Sequence, residues 1–343
     1  MIVITGGGTG GHLRVAKALA AELKKRGERL VFVGSQSGAD RRWFEGSELF
    51  EECEFLPSRG VVNKRGLAKL TALFEIVKLS FEVRKKLRKW GAKAVVSVGG
   101  YSAAPASFAA ILGKVKLFLH EQNAVTGRLN GLLKPFAKGF FSSYSTPPYA
   151  YPVEEAFFAA ARQRVELKQV LFLGGSQGAV AINDLFLRLL PELLKRGLRV
   201  TCQCGERDFA RVKEAADKVA QEAGKGEFVE VFAFTQDMPL LMRQADLCVS
   251  RSGASTTWEL VANALPTLFV PYPNAAGNHQ FFNAKFLQES GLCKIVLQKE
   301  LQNTDVLEML LSYDLSGVSS RLLQTKKQEG ASKIVDEILA KIN

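Results

Sequence analysis

The stretch "VITGGGTGGHL" (residues 3–13) carries an apolar strand pattern straight into five glycines, a threonine and a histidine. Glycine lacks a Cβ, so a ligand can approach the backbone N–H groups of such a turn closely. The first N–H groups of a helix have no partner within it, and the helix dipole is positive there. The stretch therefore predicts a strand, an anion-binding turn and a helix in succession.

Strand and helix patterns alternate after this opening. A helix is predicted over 14–27, and strands are predicted over 1–5, 29–35, 93–100 and 115–123. This alternation is typical of a parallel sheet covered by helices, which is the α/β class.

A proline-rich segment at 143–155, "SYSTPPYAYPVEE", interrupts the alternation and predicts a linker or hinge. The alternation then restarts with "QVLFLGGSQGA" (169–179), a second strand that leads into a glycine turn. Further strands are predicted over 199–205, 227–234, 245–253 and 265–273, and a last helical run over 331–343. The sequence therefore predicts two α/β domains.

Length and composition agree with this interpretation. The 343 residues suggest two domains, and no apolar run reaches the roughly 18–20 residues of a membrane span. Met1 leads directly into a strand without a basic leader, so we expect a cytoplasmic protein. The five cysteines are scattered, and we expect reduced thiols rather than a metal or redox site.

The net charge of +12 is unevenly distributed. Residues 1–150 hold 24 Lys and Arg against 11 Asp and Glu, whereas the remainder holds 22 against 23. The first half therefore faces an anionic partner, and a uniformly basic nucleic-acid binder is not expected.

The glycine turns match two other motifs formally. Gly6, Gly8 and Gly11 have dinucleotide-binding spacing, but the next strand ends at Ser35 without the acidic residue that would hold a ribose. "GGSQG" (174–178) matches a nucleophile elbow, with Ser176 as nucleophile, but the strands that usually precede an elbow are missing. A second anion-binding turn is favoured, and a plain strand-to-helix turn stays open.

A third turn, "SRSGASTTWE" (250–259), follows another predicted strand. Thr256 and Glu259 fit a capping box, which is the structural alternative for Glu259. Arg251 and Ser255 add more polar groups than a cap needs, so this turn is a further candidate for ligand binding.

The chain has three histidines, and all three follow predicted strands. A lone histidine is usually structural, but ligands of open α/β sheets bind at the carboxyl ends of the strands. A histidine beside an anionic ligand is also a natural general base. The three are His12, His120 and His279.

Residues 59–93 combine eleven basic residues with two acidic ones. An apolar set at helical spacing lies within 67–90: Leu70, Leu73, Phe74, Val77 and Phe81, accompanied by cations that include Lys85 and Lys89. One interpretation is an ordinary helix with this stripe in the core. The other is a membrane contact, in which the apolar side chains enter a leaflet and the cations meet anionic headgroups.

In this order, these motifs resemble the MurG family of sugar transferases. The matching pieces are "GGTGGH" (7–12), "VGGYSAAP" (98–105), "HEQNAVTGRLN" (120–130), "GGSQGA" (174–179), "SRSGASTTWE" (250–259) and "LPTLFVPYP…NHQFFNA" (265–284). They span nearly the whole chain.

The resemblance implies the GT-B fold, in which two Rossmann-like parallel-sheet domains face each other across a cleft. Residues 1–150 with the helix 331–343 would form the acceptor and membrane-facing domain, and residues 155–328 the donor domain. The implied reaction moves N-acetylglucosamine from UDP-N-acetylglucosamine to lipid I, with inversion, to form lipid II for peptidoglycan. No cofactor and no metal are implied, because the sugar nucleotide is a substrate.

The resemblance also implies partners and a location. The protein would lie at the cytoplasmic face of the inner membrane, on its anionic leaflet, without nucleic acid, and other cell-wall synthesis proteins are further candidates. The alternatives are a GT-B transferase with a soluble acceptor and a non-catalytic module that binds a sugar nucleotide or a dinucleotide.

Site residues follow from the same resemblance. His12 is the first candidate for the general base and Glu121 the second. The acceptor pyrophosphate would lie against Gly8, Gly99, Gly100 and Tyr101. The expected donor contacts are Thr9, Gly10, Gly11, Asn123, Ser176, Gln177, Thr235, Arg251, Ala254, Ser255, Glu259 and Gln280.

One departure bears on donor binding. The family usually carries an arginine in a Pro-Val-Arg setting at the hinge, whereas Glu154 follows Pro152 and Val153 here. A carboxylate cannot replace a cation beside a diphosphate. Arg162, Arg164 and Arg251 are the candidates to compensate, and a changed donor affinity is the alternative.

Overall fold

A computed structural model describes residues 1–58, 60, 66–145, 148–175, 178–235, 237–325 and 329–342. The chain divides into two compact units, residues 1–153 with 328–343 and residues 154–327. Within the described residues, no helix has both the length and the apolar character that crossing a membrane requires.

The first unit alternates strands and helices in chain order. Its strands are β1 (Ile2–Thr5), β2 (Leu30–Ser35), β3 (Glu52–Leu56), β4 (Ala94–Ser97), β5 (Lys116–Glu121) and β6 (Gly139–Ser142). Its helices are α1 (Gly10–Lys25), α2 (Asp40–Phe44), α3 (Leu67–Lys89), α4 (Ala104–Gly113) and α5 (Arg128–Leu133).

These strands form one parallel sheet in the order β3-β2-β1-β4-β5-β6. The strand order reverses between β1 and β4, where Val3 pairs with Val31 on one side and with Val95 on the other. β1 and β4 are fully buried because helices cover both faces of the sheet, which explains their continuous apolar sequences.

The second unit repeats this arrangement. Its strands are β7 (Gln169–Leu173), β8 (Arg199–Gln203), β9 (Val229–Phe232), β10 (Leu247–Ser250), β11 (Thr267–Phe269) and β12 (Lys294–Ile295). They form a parallel sheet in the order β12-β11-β10-β7-β8-β9, which reverses between β7 and β10. The helices are α6 (Glu155–Ala159), α7 (Val180–Lys195), α8 (Phe209–Glu222), α9 (Met238–Gln244), α10 (Ala254–Ala262), α11 (His279–Glu289), α12 (Val306–Leu311) and α13 (Leu315–Thr325).

The last helix, α14 (Gly330–Ile342), packs on α1 of the first unit. Arg26 binds Asp336 at 2.6 Å, and the hydroxyl of Tyr149 donates to Glu337 at 2.5 Å. A Cβ on Gly330 would lie 2.4 Å from the carbonyl oxygen of Tyr151, so only glycine fits where the helix begins.

The sequence patterns missed β3, β6 and β12, all of which lie at sheet edges. β3 and β12 are partly exposed and lack the apolar run of a central strand, whereas β6 is mostly buried but has only four residues, "GFFS". The helix predicted over 14–27 begins four residues earlier, at Gly10, inside the glycine turn.

Arg164 is a fully buried cation that the sequence did not single out as structural. Its guanidinium donates to the carbonyl oxygens of Met242 (2.8 Å), Ala245 (3.2 Å) and Arg162 (2.8 Å), and to both oxygens of Asn263. Burial lowers its pKa to about 9, so it stays charged at neutral pH. It therefore ties the ends of α9 and α10 to the segment that precedes β7.

We expect Arg164→Met to lower the free energy of unfolding of the second unit by about 3 kcal/mol, because several buried carbonyl groups lose their donors. Urea unfolding followed by circular dichroism measures this change. The exposed Arg207→Met is the matched control and should change stability by less than about 0.5 kcal/mol. Equal small effects of both substitutions would contradict the assigned role of Arg164.

Candidate functional site

Two glycine turns of the first unit meet at the point where the strand order reverses. Gly7 N–H donates to the carbonyl oxygen of Gly99 at 3.2 Å. A Cβ on Gly6 would lie 2.5 Å from the Gly99 oxygen, and one on Gly100 would lie 2.3 Å from the Gly7 oxygen. The turns after β1 and β4 therefore touch backbone to backbone, which any side chain there would prevent.

Asp40 holds the turn after β1 by hydrogen bonds, and the sequence analysis did not identify this residue. Its carboxylate is fully buried and accepts hydrogen bonds from Gly8 N–H (2.5 Å) and Ser35 N–H (2.9 Å). The available signal was an acidic residue five positions after a buried strand. Because Asp40 binds the turn itself, it does not supply the ribose-binding acid that a dinucleotide site needs.

The predicted acceptor residues lie together in the first unit. The hydroxyl of Tyr101 donates to the carbonyl oxygen of Ser37 at 2.6 Å. A Cβ on Gly8 would lie 2.4 Å from the nearest ring carbon of Tyr101, so the ring fills the space beside this glycine. Gly8, Gly99 and Gly100 all have positive φ, between 81° and 86°. The structure thus brings all four residues to one edge of the sheet.

His12 lies in the first turn of α1, beside these glycines. Thr9 is the N-cap residue, and its Oγ1 is 2.8 Å from His12 Nδ1. His12 Nε2 is 3.5 Å from the position that a Cβ on Gly99 would take. Gly10 and Gly11 form the start of the same helix. A Thr9 hydroxyl that accepts from Nδ1 leaves Nε2 as the basic nitrogen.

The second candidate base, Glu121, is buried and holds its own loop. Oε1 accepts from Asn123 N–H at 3.1 Å, and Oε2 accepts from Gly127 N–H and Asn130 Nδ2, both at 2.9 Å. These bonds order the segment that leads from β5 to α5.

His120 has an unusual environment for a polar residue. The side chain is 1% exposed, and no described residue forms a hydrogen bond with either ring nitrogen. Its ring meets Tyr151 edge to face, with centroids 5.5 Å apart. Burial, and to a smaller degree the charge of His12, lowers the pKa of His120 to about 3. Each such unpaired buried group costs roughly 1–3 kcal/mol.

In the second unit, the turn after β7 has the same backbone character. A Cβ on Gly178 would lie 2.4 Å from the carbonyl oxygen of Cys204, and the Gly178 N–H donates to the carbonyl oxygen of Gly175 at 3.0 Å. Ser176 and Gln177, which are predicted donor contacts, lie outside the described residues.

The capping-box interpretation of the third turn is wrong. α10 begins at Ala254 with Gly253 as its N-cap, so Thr256 lies inside the helix and cannot cap it. Ser255 and Glu259 are buried in α10. Ser252 connects this turn to α11, since its hydroxyl donates to the Gln280 carbonyl oxygen at 2.8 Å.

Gln280 lies in the first turn of α11, and Thr235 lies in the segment after β9. Gln280 Oε1 accepts from Tyr272 N–H at 3.0 Å, and Thr235 Oγ1 accepts from Asp237 N–H at 3.0 Å. Gln280 is near the α10 turn through Ser252, whereas Thr235 follows the edge strand β9.

The arginines that could replace the missing hinge cation are engaged elsewhere. Arg164 is enclosed as described above, and Arg162 binds Asp246 at 2.6 Å. Arg251 donates to the carbonyl oxygens of Val270 (2.9 Å) and Pro271 (3.1 Å) and to Gln298 at 2.7 Å. Burial lowers the pKa of Arg251. Of the three, only Arg251 lies at a predicted donor turn.

Helix α3 tests the core-stripe interpretation of the basic segment. Its core face consists of other residues, among them Ile76, Leu79 and Val83. The predicted apolar set lies on the opposite face and is exposed, with Phe74 at 73% and Leu70 at 63%. We call Leu70, Leu73, Phe74, Val77 and Phe81 the α3 outer face. The interpretation as an ordinary core stripe is therefore wrong.

The described residues contain no group of three His, Cys, Asp or Glu side chains that could hold a metal ion. The five cysteines are free thiols, and burial raises the pKa of Cys53 to about 11 and that of Cys293 to about 12.

Comparison with known proteins identifies the family of this chain. The N-terminal domain model of glycosyltransferase family 28 matches residues 2–142, and the C-terminal domain model matches residues 169–338. A relative from Campylobacter fetus, named UDP-N-acetylglucosamine--N-acetylmuramyl-(pentapeptide) pyrophosphoryl-undecaprenol N-acetylglucosamine transferase, is 51% identical over 99% of both chains. A relative of the same name from Wolinella succinogenes is 49% identical over 99% of both chains.

A solved structure agrees with these relatives. The crystal structure of MurG from Acinetobacter baumannii matches with a TM-score of 0.77 at 26% identity, over 99% of both chains.

We expect Asp40→Ala to lower the free energy of unfolding of the first unit by about 2 kcal/mol, because two buried N–H groups lose a charged acceptor. Urea unfolding measures the change. The exposed Asp336→Ala, which removes a surface ion pair, should cost at most about 1 kcal/mol. A loss at Asp40 no larger than the loss at Asp336 would contradict its role beneath the glycine turns.

Proposed function

This chain belongs to glycosyltransferase family 28, and we propose that it moves N-acetylglucosamine from UDP-N-acetylglucosamine onto lipid I to form lipid II. The predicted MurG-like family, the predicted GT-B fold of two Rossmann-like domains and the predicted transferase class are confirmed. The observation that carries the mechanism is His12, which lies at the start of α1 beside the paired glycine turns.

We assign the donor to the second unit. The helix starts of α7 and α10 follow glycine turns at the point where the strand order reverses, and such starts bind phosphate without a metal. Arg251 holds the α10 turn against the end of β11 and shapes this site. The other donor residues of this unit are Ser176, Gln177, Thr235, Ala254, Ser255, Glu259 and Gln280. The predicted donor contacts Thr9, Gly10, Gly11 and Asn123 lie in the first unit and stay predictions.

We assign the acceptor pyrophosphate to the first unit. Gly8, Gly99, Gly100 and Tyr101 surround a backbone-lined turn, where N–H groups can donate to phosphate oxygens. The excess of cations in residues 1–150 favours an acceptor that carries a pyrophosphate and is anchored in an anionic leaflet.

The chemistry is a single in-line displacement. The acceptor hydroxyl attacks the anomeric carbon, UDP leaves, and His12 Nε2 takes the hydroxyl proton. Thr9 orients the imidazole through Nδ1, in the way that a base is held by a third group. Helix N-termini and hydroxyl or amide donors stabilise the departing diphosphate. We assign Glu121 to ordering the loop after β5, because three hydrogen bonds from that loop already engage its carboxylate.

The α3 outer face is the proposed membrane contact. Five exposed apolar side chains lie along one side of the helix. Lys85 and Lys89 lie in its C-terminal part, beyond these side chains. Apolar insertion and attraction to anionic headgroups reinforce each other on such a surface. The membrane would be the cytoplasmic leaflet, where the lipid-linked acceptor is reached.

We expect His12→Ala to lower kcat by about 10²–10⁴-fold while the KM for UDP-N-acetylglucosamine changes little, because only proton transfer is lost. Release of UDP in the presence of a short-chain lipid I analogue measures this. If turnover stays within a few-fold of the parent enzyme, His12 is not the base.

We expect Glu121→Gln to lower the Tm and to reduce kcat only a few-fold, since Gln removes a charged acceptor from the loop but no reacting group. Thermal unfolding and the same turnover assay measure both effects. A collapse of kcat at an unchanged Tm would instead make Glu121 the base.

We expect the double substitution Leu70→Ser and Phe74→Ser to weaken binding to phosphatidylglycerol vesicles at least tenfold, because about 1.5–3 kcal/mol of apolar burial is lost per side chain. Vesicle co-sedimentation measures this, and the exposed Val165→Ser in the second unit is the control. Binding that is unchanged by the substitutions, by salt or by anionic lipid content would refute the contact.

The alternatives differ in a direct assay. A transferase for a soluble acceptor turns over a muramyl acceptor without lipid at the full rate, and a non-catalytic module binds UDP-N-acetylglucosamine without releasing UDP. Saturable turnover that requires the polyprenyl pyrophosphate excludes both.

A further inference from the structure

His120 is the polar group that the mechanism above leaves without a role. It lies near the carboxyl end of β5, its side chain is 1% exposed, and no described residue forms a hydrogen bond with its ring nitrogens. The strand neighbours Phe118 and Leu119 are fully buried apolar residues. An apolar residue would therefore suit this position better if packing were its only task.

The surroundings of His120 connect it to His12. Asn130 Nδ2 donates to the His120 carbonyl oxygen at 3.2 Å, and the same nitrogen is 3.5 Å from the position of a Cβ on Gly99. The His12 ring is also 3.5 Å from that position. On another side, the His120 ring meets Tyr151. His120 is thus connected through Asn130 to the turn after β4, and the His12 ring lies against the same turn.

The charge state of His120 fits a particular task. Burial, and to a smaller degree the charge of His12, keeps its pKa at about 3, so the ring is neutral at any working pH. A neutral imidazole keeps one lone pair and one N–H. It can accept a hydrogen bond from a neighbouring cation, and it does not compete for the proton that the reaction releases.

We propose that His120 is a positioning residue that stabilises the imidazolium of His12 by accepting a hydrogen bond from it through one ordered water. The inference rests on the proposed transferase function. In the reaction the acceptor hydroxyl loses its proton to His12, the oxygen forms the new glycosidic bond, and His120 neither gains nor loses a proton. Its effect on turnover acts entirely through His12.

Other polar groups around His12 have their own partners. Thr9 binds Nδ1, Asp40 binds Gly8 and Ser35, and Glu121 binds Asn123, Gly127 and Asn130. Among the described residues, His120 has no hydrogen-bond partner at either ring nitrogen, so one of them is open to the imidazolium.

The test compares His120→Phe with His120→Asn. Phe removes both ring nitrogens at similar size, whereas Asn keeps an acceptor that does not titrate. For His120→Phe we expect a Tm within about 2 °C of the parent value, because an apolar ring of similar size fits the buried position. We expect kcat to fall about tenfold, as for the loss of one hydrogen bond, with an unchanged KM for UDP-N-acetylglucosamine. His120→Asn should recover part of kcat.

A readout independent of turnover is the imidazole NMR titration, which is simple because the chain has three histidines. In the parent protein, His120 should not titrate between pH 5 and 9, as its pKa of about 3 requires. In His120→Phe, the pKa of His12 should fall, because the charged form loses an acceptor, and the acid limb of the kcat profile should move to lower pH.

Two results would overturn the proposal. One is a kcat within twofold of the parent value together with an unchanged His12 pKa in His120→Phe. The other is a parallel loss of Tm and kcat in both variants, which would make His120 a purely structural residue. Failure of the transferase proposal is recognised separately, because the parent protein would then release no UDP while the NMR comparison still applies.

Discussion

The contact between the turn after β1 and the turn after β4 is the constraint on which the first unit depends. Gly7 and Gly99 are hydrogen-bonded, and the carbonyl oxygens of Gly7 and Gly99 fill the space where side chains of Gly100 and Gly6 would be. Two backbones can lie this close only without Cβ atoms. Gly8 lies in the turn after β1, His12 lies directly beyond it in α1, and Tyr101 comes directly after the turn that follows β4. The contact therefore brings these three residues to one edge of the sheet.

Parallel sheets explain why we assign a phosphate site to each unit. All strands of a parallel sheet end at the same edge, and the reversal of strand order opens a crevice there. β1 and β4 border that point in the first unit, and β7 and β10 border it in the second. A helix start lies beyond each of these strands, and the proposed phosphate sites lie at these helix starts.

Buried polar groups set the geometry of the site at some cost in stability. Asp40 fixes Gly8 and Ser35, and Glu121 fixes the loop that follows β5, in both cases through backbone N–H groups. His120 differs from these two, since its ring nitrogens find no partner among the described residues. Local rules of burial are often broken where function requires it, and the buried ring of His120 breaks them.

The sequence by itself determined the two α/β domains, the position of the glycine turns and the family, because central strands and glycine-rich turns leave patterns over a few residues. His12, Tyr101 and the α3 outer face were also visible locally. Tertiary structure decided what local patterns cannot contain. It revealed the edge strands β3, β6 and β12, which are short or partly exposed and therefore lack a long apolar run. It showed that α3 buries Ile76, Leu79 and Val83 and exposes Phe74, since α3 has apolar residues on both faces and only packing chooses between them. The roles of Asp40 and Arg164 depend on groups that are distant in sequence, and such partners are fixed only when the chain has folded.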